Sequence, residues 1–233
     1  MMCGFSDIHH HFIYGIDDGP KTYEEMTAML RKAYEDGIRN IIATPHATPG
    51  LEPFAQPLLM QRLQEAQQYC TQQGFDLELQ PGAEIMYTPQ AAAMVADGKI
   101  PSLANTKNVL VEFMPDVSYQ TLERAVQEFL RSGYTPILAH MERYRCLMTS
   151  PKRARRLKEI YPVSFQVNCS TVLKSKGFFT TRTINALLKD KLIDHIATDA
   201  HDCSHRPCKM QSAYRTLDKK LGAEYAQALT GIS

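Results

Sequence analysis

Short, nearly continuous apolar runs alternate with amphipathic stretches along the whole chain, and that order constrains the fold more than any other feature. The runs are Phe5–His11, Asn40–Thr44, Leu77–Pro81, Val109–Phe113, Thr135–Ala139, Val163–Val167 and His195–Thr198. Several are unbroken aliphatic or β-branched stretches, the pattern of parallel strands covered on both faces. Helical patterns lie between them. In the first, Thr22 can cap, Glu25 stands at the capping-box position, Met26, Met29, Leu30 and Ala33 make one apolar face, and Gly37 ends the helix. Comparable patterns cover Pro57–Gln73, Pro89–Asp97, Tyr119–Ser132, Pro151–Ile160, Thr181–Lys189 and Cys208–Leu221. Seven strands alternating with seven helices predict an all-parallel α/β sheet, most economically closed as a distorted (β/α)7 TIM-like barrel. No repeat, low-complexity segment or linker divides the 233 residues, so 1–233 is expected to form a single domain.

Composition removes several classes of function. With 26 Lys+Arg against 25 Asp+Glu there is no global field to gather nucleic acid or an anionic membrane, so any anion must be recognised locally. The one dense basic run, Lys152-Arg153-Ala154-Arg155-Arg156 with Lys158, follows Pro151 and reads as the solvated face of a helix. Neither a signal-peptide pattern at the N-terminus nor an apolar run of membrane-spanning length is present, which predicts a cytoplasmic protein without membrane insertion. The six cysteines (Cys3, Cys70, Cys146, Cys169, Cys203, Cys208) form no C-x-x-C pair and read as reduced thiols. None has an arginine six residues on, so the phosphate loop of cysteine-based phosphatases is absent.

Metal-ligating residue types recur at the ends of successive runs. The first run ends in Asp7-Ile8-His9-His10-His11 and is followed by Asp17-Asp18-Gly19-Pro20. The others end in Thr44-Pro45-His46, Gly82-Ala83-Glu84, Val111-Glu112-Phe113, Ala139-His140-Met141-Glu142-Arg143-Tyr144 and Thr198-Asp199-Ala200-His201, while the sixth ends in Asn168-Cys169-Ser170 without an obvious ligand. In a parallel barrel all these ends share one face. His9 and His11, two apart on a strand, point the same way, and His10 points away from them. The spacing of Asp199 and His201 is the same. Singly, each residue reads as an ordinary core or surface side chain, and that reading is kept for His10, His195 and His205. Together, His9, His11, Asp18, His46, Glu84, Glu112, His140, Asp199 and His201 make a charged cluster whose burial calls for metal. Imidazoles and carboxylates without thiolate suit Mn, Fe or Zn better than Ca. The set is too large for one ion, so two or three divalent ions are expected, with Glu84 or another carboxylate bridging. Such a centre attracts a phosphate dianion and acidifies a bound water, so no protein nucleophile is needed. Arg143 and Arg206, on loops of the same face, can grip phosphate oxygens bidentately.

These motifs, in this order and spread from Asp7 to Pro207, resemble the polymerase and histidinol phosphatase (PHP) superfamily. Within it, Asp17-Asp18-Gly19-Pro20 and His140-Met141-Glu142-Arg143-Tyr144 resemble the bacterial protein-tyrosine phosphatases of capsular and exopolysaccharide synthesis. The resemblance implies the PHP fold and a three-metal, usually manganese-dependent site made of the nine residues, with Arg143 and Arg206 on phosphate. It also implies a phosphotyrosine-bearing protein as substrate, namely the bacterial tyrosine kinase that controls polysaccharide chain length. Two positions depart from the family: Cys169, where serine is common, and Cys208, where a second proline often follows Pro207. The alternatives are a small-molecule phosphatase such as histidinol phosphatase, with the same metal site, and a non-catalytic metal-binding PHP module.

Overall fold

The computed structural model describes residues 4–173 and 178–232, so Cys3 lies outside the described residues. Nine strands form among the described residues: β1 Phe5–His10, β2 Ile38–Ala43, β3 His46–Ala47, β4 Glu78–Pro81, β5 Glu84–Met86, β6 Asn108–Glu112, β7 Thr135–Leu138, β8 Ser164–Asn168 and β9 His195–Ala197. They group as a three-stranded sheet β1-β2-β4 and a six-stranded sheet β3-β5-β6-β7-β8-β9, with every pairing parallel. Beyond the second and third runs, which form β2 and β4, the chain resumes as the further short strands β3 and β5 after breaks at Thr44–Pro45 and at Gly82–Ala83. Proline cannot donate to a ladder and glycine weakens one, so the breaks fall where the backbone chemistry puts them. The split strands join the two sheets into one curled surface. Its edges meet through a parallel bridge between His10 and Ala200, with Asp199 N donating to His9 O and His11 N donating to Ala200 O, both at 2.9 Å. The expected α/β barrel-like order is thus present.

The helices are α1 Tyr23–Glu35, α2 Gln56–Gln72, α3 Ala91–Ala96, α4 Tyr119–Arg131, α5 Arg145–Met148, α6 Pro151–Ile160, α7 Cys169–Leu173, α8 Phe178–Lys189, α9 Met210–Leu221 and α10 Ala223–Thr230. The start of α1 follows its sequence. Thr22 Oγ1 accepts from Glu25 N at 3.3 Å, although the Glu25 carboxylate reaches back to Lys21 N rather than to Thr22. Met26, Met29, Leu30 and Ala33 are buried, and Gly37 follows the helix with φ +87°. The basic run lies on α6, where Ala154 and Leu157 are buried, Arg155 pairs with Asp190 at 2.8 Å and Lys158 with Asp194 at 2.5 Å. It is a solvated helix face, as expected. Three helices were not foreseen: α5 and α7, each of five residues or fewer, and α10, which packs on α9 and β9. No described helix is long and apolar enough to cross a membrane.

Candidate metal centre

Because every strand runs in one direction, the ends of β1 and β6, the breaks after β2 and β4 that lead into His46 and Glu84, and the segments past β1, β7 and β9 deliver their side chains to one rim. His9 comes from β1, His46 from β3, Glu84 from β5 and Glu112 from β6. His11, Asp18, His140, Asp199 and His201 come from the segments just past β1, β7 and β9. All nine meet there. Glu84 is central: its Oε2 lies 3.1 Å from His9 Nε2, 3.2 Å from His11 Nε2 and 3.2 Å from His46 Nδ1, and its Oε1 lies 2.6 Å from His140 Nε2. Glu112 stands 3.1 Å from His46 Nδ1 and 3.8 Å from His140 Nε2. On the other side, Asp18 Oδ1 lies 3.3 Å from His46 Nε2 and 3.2 Å from His201 Nε2.

Three overlapping sets converge closely enough to hold a cation each: His9, His11, Glu84 and Asp199; His46, Glu84 and Glu112; and His11, Asp18, His46 and His201, with the donor atoms of each set within 4.8 Å of one another. His11, His46 and Glu84 each belong to two of the sets, so the sets share walls. His140 completes the Glu84–Glu112 side.

The hydrogen bonding behind the cluster decides what these donors can bind. His9 Nδ1 faces Gln166 Oε1 at 3.1 Å, His11 Nδ1 faces Asp17 Oδ2 at 2.7 Å, and His201 Nδ1 faces the Asp199 carbonyl at 3.1 Å. Each acceptor holds the proton on Nδ1 and turns an Nε2 lone pair toward the cluster, the arrangement metal-bound histidines adopt. With both rings neutral, as ligation requires, His9 Nε2 and His11 Nε2 face each other at 3.1 Å with lone pair opposed to lone pair. Glu84 Oε2 and His201 Nε2 are buried without a hydrogen-bond partner. Two donors about 2.1 Å from one ion at a right angle stand about 3 Å apart, which is the separation seen. The residues present fit divalent ions.

The electrostatics agree. Burial opposes charge on His11, yet the Asp17 and Glu84 carboxylates outweigh it and raise its pKa to about 10. Burial likewise opposes charge on His9, and Glu84 and Asp199 overcome it. Burial pushes Glu84 up, but the imidazoles of His9, His11 and His140 hold it well below the ordinary carboxylate range. The site thus has a strong demand for positive charge, which protons meet partly and divalent cations meet fully.

Several features escaped the sequence reading. Asp17, next to the expected ligand Asp18, has a side chain only 4% exposed that also accepts from Gly19 N at 2.9 Å and His46 N at 3.1 Å, whereas the Asp18 side chain is 60% exposed. Gly19 is required there, because a Cβ would come within 2.4 Å of the His11 carbonyl oxygen. Gln166 binds His9 and also accepts from His140 N at 2.7 Å. Asn168 Nδ2 donates to Asp199 Oδ2 at 2.7 Å, so the sixth run of the sequence, now β8, which offered no ligand, holds those of others. His140 and Asp199 have φ of +29° and +52°, left-handed values that non-glycine residues adopt at a cost and that cluster at functional sites. The spacing of Asp199 and His201 suggested a shared strand face. In fact β9 ends at Ala197, and the left-handed turn at Asp199 brings the two side chains within 3.6 Å.

His10 is buried away from the cluster with Nε2 3.2 Å from Cys208 Sγ. His195 sits at the opposite end of β9, and the His205 side chain is 91% exposed. Arg143 Nη2 and Arg206 Nη2 donate to Asp199 at 2.7 and 2.8 Å and border a pocket of 340 Å³ beside the cluster. The five described cysteines are free, and burial raises the pKa of each, to about 11 for Cys70. None has the depressed pKa of a thiolate nucleophile.

Comparison with known proteins agrees with this geometry. The family described as "Capsular polysaccharide synthesis, CpsB/CapC" matches residues 5–231. The tyrosine-protein phosphatase CpsB of Streptococcus pneumoniae is 33% identical over 228 residues, covering 96% of this chain and 93% of that protein. A solved structure described among "YwqE from Bacillus subtilis and CpsB from Streptococcus pneumoniae, unique metal-dependent tyrosine phosphatases" superposes with a TM-score of 0.87 at 28% identity, over 97% of this chain and 91% of that one. The histidinol phosphate phosphatase of Lactococcus lactis shares the fold, with a TM-score of 0.56 at 14% identity over 95% of this chain and 94% of that one.

Proposed function

The chain belongs to the CpsB/CapC family of capsular polysaccharide synthesis, and from that premise we propose that it is a metal-dependent protein-tyrosine phosphatase. His9, His11, Asp18, His46, Glu84, Glu112, His140, Asp199 and His201 hold two or three divalent ions; their imidazoles and carboxylates suit manganese, iron or zinc, and the resemblance to manganese-dependent phosphatases favours manganese. The observation that carries this reading is Glu84 Oε2, buried, without a hydrogen bond, and 3.1 to 3.2 Å from three imidazole nitrogens. That is the environment of a bridging ligand.

When bound, divalent ions supply Lewis-acid charge to phosphoryl oxygens and a water acidified toward neutral pH. The chain's own residues prepare the rest. Asp17 and Gln166 hold the His11 and His9 rings in the tautomer that ligates. Arg143 and Arg206 each spend a terminal nitrogen on Asp199 and keep further N–H donors for phosphate oxygens at the pocket. Asp199 thereby orients both guanidiniums before substrate arrives, which reduces the reorganisation left for the reaction. The exposed Asp18 and half-buried His46 leave the centre open enough for an aryl phosphate carried on a protein. The substrate is phosphotyrosine, and the partner is a bacterial tyrosine kinase of polysaccharide synthesis.

The test is manganese-stimulated, chelator-sensitive release of phosphate from a phosphotyrosine peptide, nearly abolished by Glu84→Ala or His201→Ala. Turnover of histidinol phosphate without turnover of the peptide would replace this reading by a small-molecule phosphatase. Full activity after complete removal of metal would refute both.

A further inference from the structure

We propose that Lys209 reads a second anionic group on the substrate, a carboxylate or a further phosphate beside the phosphotyrosine, and so sets sequence preference. This rests on the phosphatase reading above. The pocket next to Asp199 is lined by Arg143, Asn168, Arg206, Pro207 and Lys209, with Leu173 on its wall. The two guanidiniums are already set against the Asp199 carboxylate. Lys209 is not. Among the described residues it forms no ion pair, so its charge is uncommitted at the pocket wall.

Its position does not account for this by itself. Lys209 immediately precedes α9, whose first amides, Met210 N and Gln211 N, are already taken by Asp36 Oδ2 at 2.5 and 3.3 Å. The helix end is therefore neutralised from outside the pocket, and Lys209 is the lysine among its lining residues. A half-buried cation in a concave site gives up hydration and recovers it only when an anion arrives. The metal cluster and the two arginines account for the first phosphate. Lysine, a point charge on a flexible stem, suits a second anion whose position varies between substrates, while the fork of arginine suits the fixed one. Pro207 and Leu173 give that part of the pocket apolar surface on which the intervening chain can lie.

The experiment uses the full-length manganese-loaded protein and three peptides that differ at one residue beside the phosphotyrosine: glutamine, glutamate or a second phosphotyrosine. A partly solvated charge pair predicts a kcat/KM for the anionic peptides about 2- to 5-fold above the glutamine peptide. That ratio should fall as ionic strength rises. Lys209→Gln should bring it to one, and Lys209→Arg should retain most of it. A gain confined to the glutamate peptide assigns the site to carboxylates, and one confined to the doubly phosphorylated peptide assigns it to phosphate. Equal kcat/KM for the three peptides in the wild type, or a ratio that survives Lys209→Gln, overturns the inference. Failure of the wild type to hydrolyse any of the three overturns the phosphatase reading instead.

Discussion

Asp17→Asn removes one charge and no volume, and the structure dictates what must follow. The Asp17 carboxylate uses Oδ1 on Gly19 N and Oδ2 on both His46 N and His11 Nδ1. Asparagine has only one acceptor oxygen for these donors. If that oxygen takes the Oδ2 position, the NH₂ group opposes Gly19 N–H. If it takes the Oδ1 position, the NH₂ group opposes His46 N–H and donates to His11 Nδ1. The proton of His11 then moves to Nε2, the nitrogen that faces the cluster, and that ligand is lost. A hydrogen bond to a charged group contributes about 1.5 to 3 kcal/mol, and loss of a ligand's supporting partner costs about 10- to 100-fold in metal affinity or activity. We therefore expect manganese titrated calorimetrically into metal-stripped Asp17→Asn protein to bind about 10- to 100-fold more weakly than in the wild type, with kcat/KM reduced in parallel at limiting metal. Affinity and kcat/KM both within threefold of wild type would refute the reasoning and leave Asp17 as a residue that only shapes the loop.

Glu84→Gln should reduce activity by at least about a thousandfold and lower the metal content of the purified protein by one ion or more, since Glu84 contributes to two of the three donor sets; unchanged stoichiometry by elemental analysis would count against its bridging position. Chelation should lower thermal stability: a metal present at 100 times its dissociation constant contributes about 2.7 kcal/mol, worth roughly 5 to 10 °C for a chain of this length, and an unchanged melting temperature would mean that the cluster is stable without cations. His10 gives a pH signature in metal-stripped protein. Burial first, then the neighbouring imidazoles His11, His201 and His9, lower its pKa from 6.5 to about 3. Between those values the unfolded chain binds more protons than the folded one, so stability falls with falling pH by up to about 1.4 kcal/mol per unit. His10→Gln should lack that component below pH 6.5 in denaturant titrations, and parallel wild-type and variant profiles would exclude it.

The alternation of strands and helices was legible because burial on both faces of a parallel sheet leaves unbroken apolar runs, and the residues at the ends of those runs stand out against them. His9, Glu84 and Asp199 are conspicuous in one dimension for that reason, and so is the cap of α1 at Thr22, which depends only on neighbours within one turn. The supports of the cluster are of another kind. Gln166 meets a histidine 157 positions away, and Asn168 an aspartate 31 positions away, and a buried amide carries no periodicity or spacing to announce its partner.

The choice between Asp17 and Asp18 shows the boundary most sharply. Both are aspartates in the same Asp-Asp-Gly-Pro turn, and by sequence alone either can face the metal. Only the folded loop, with Gly19 pressed against the His11 carbonyl, sends Asp17 behind the imidazole and Asp18 in front of it. The sequence by itself therefore determined the fold class and the donor types at the rim, because both follow from local periodicity. Which donor faces which, which tautomer each imidazole takes and how Asp199 and His201 meet past the end of β9 were decided by tertiary structure. Those depend on distances between segments that the chain brings together only when the sheet closes.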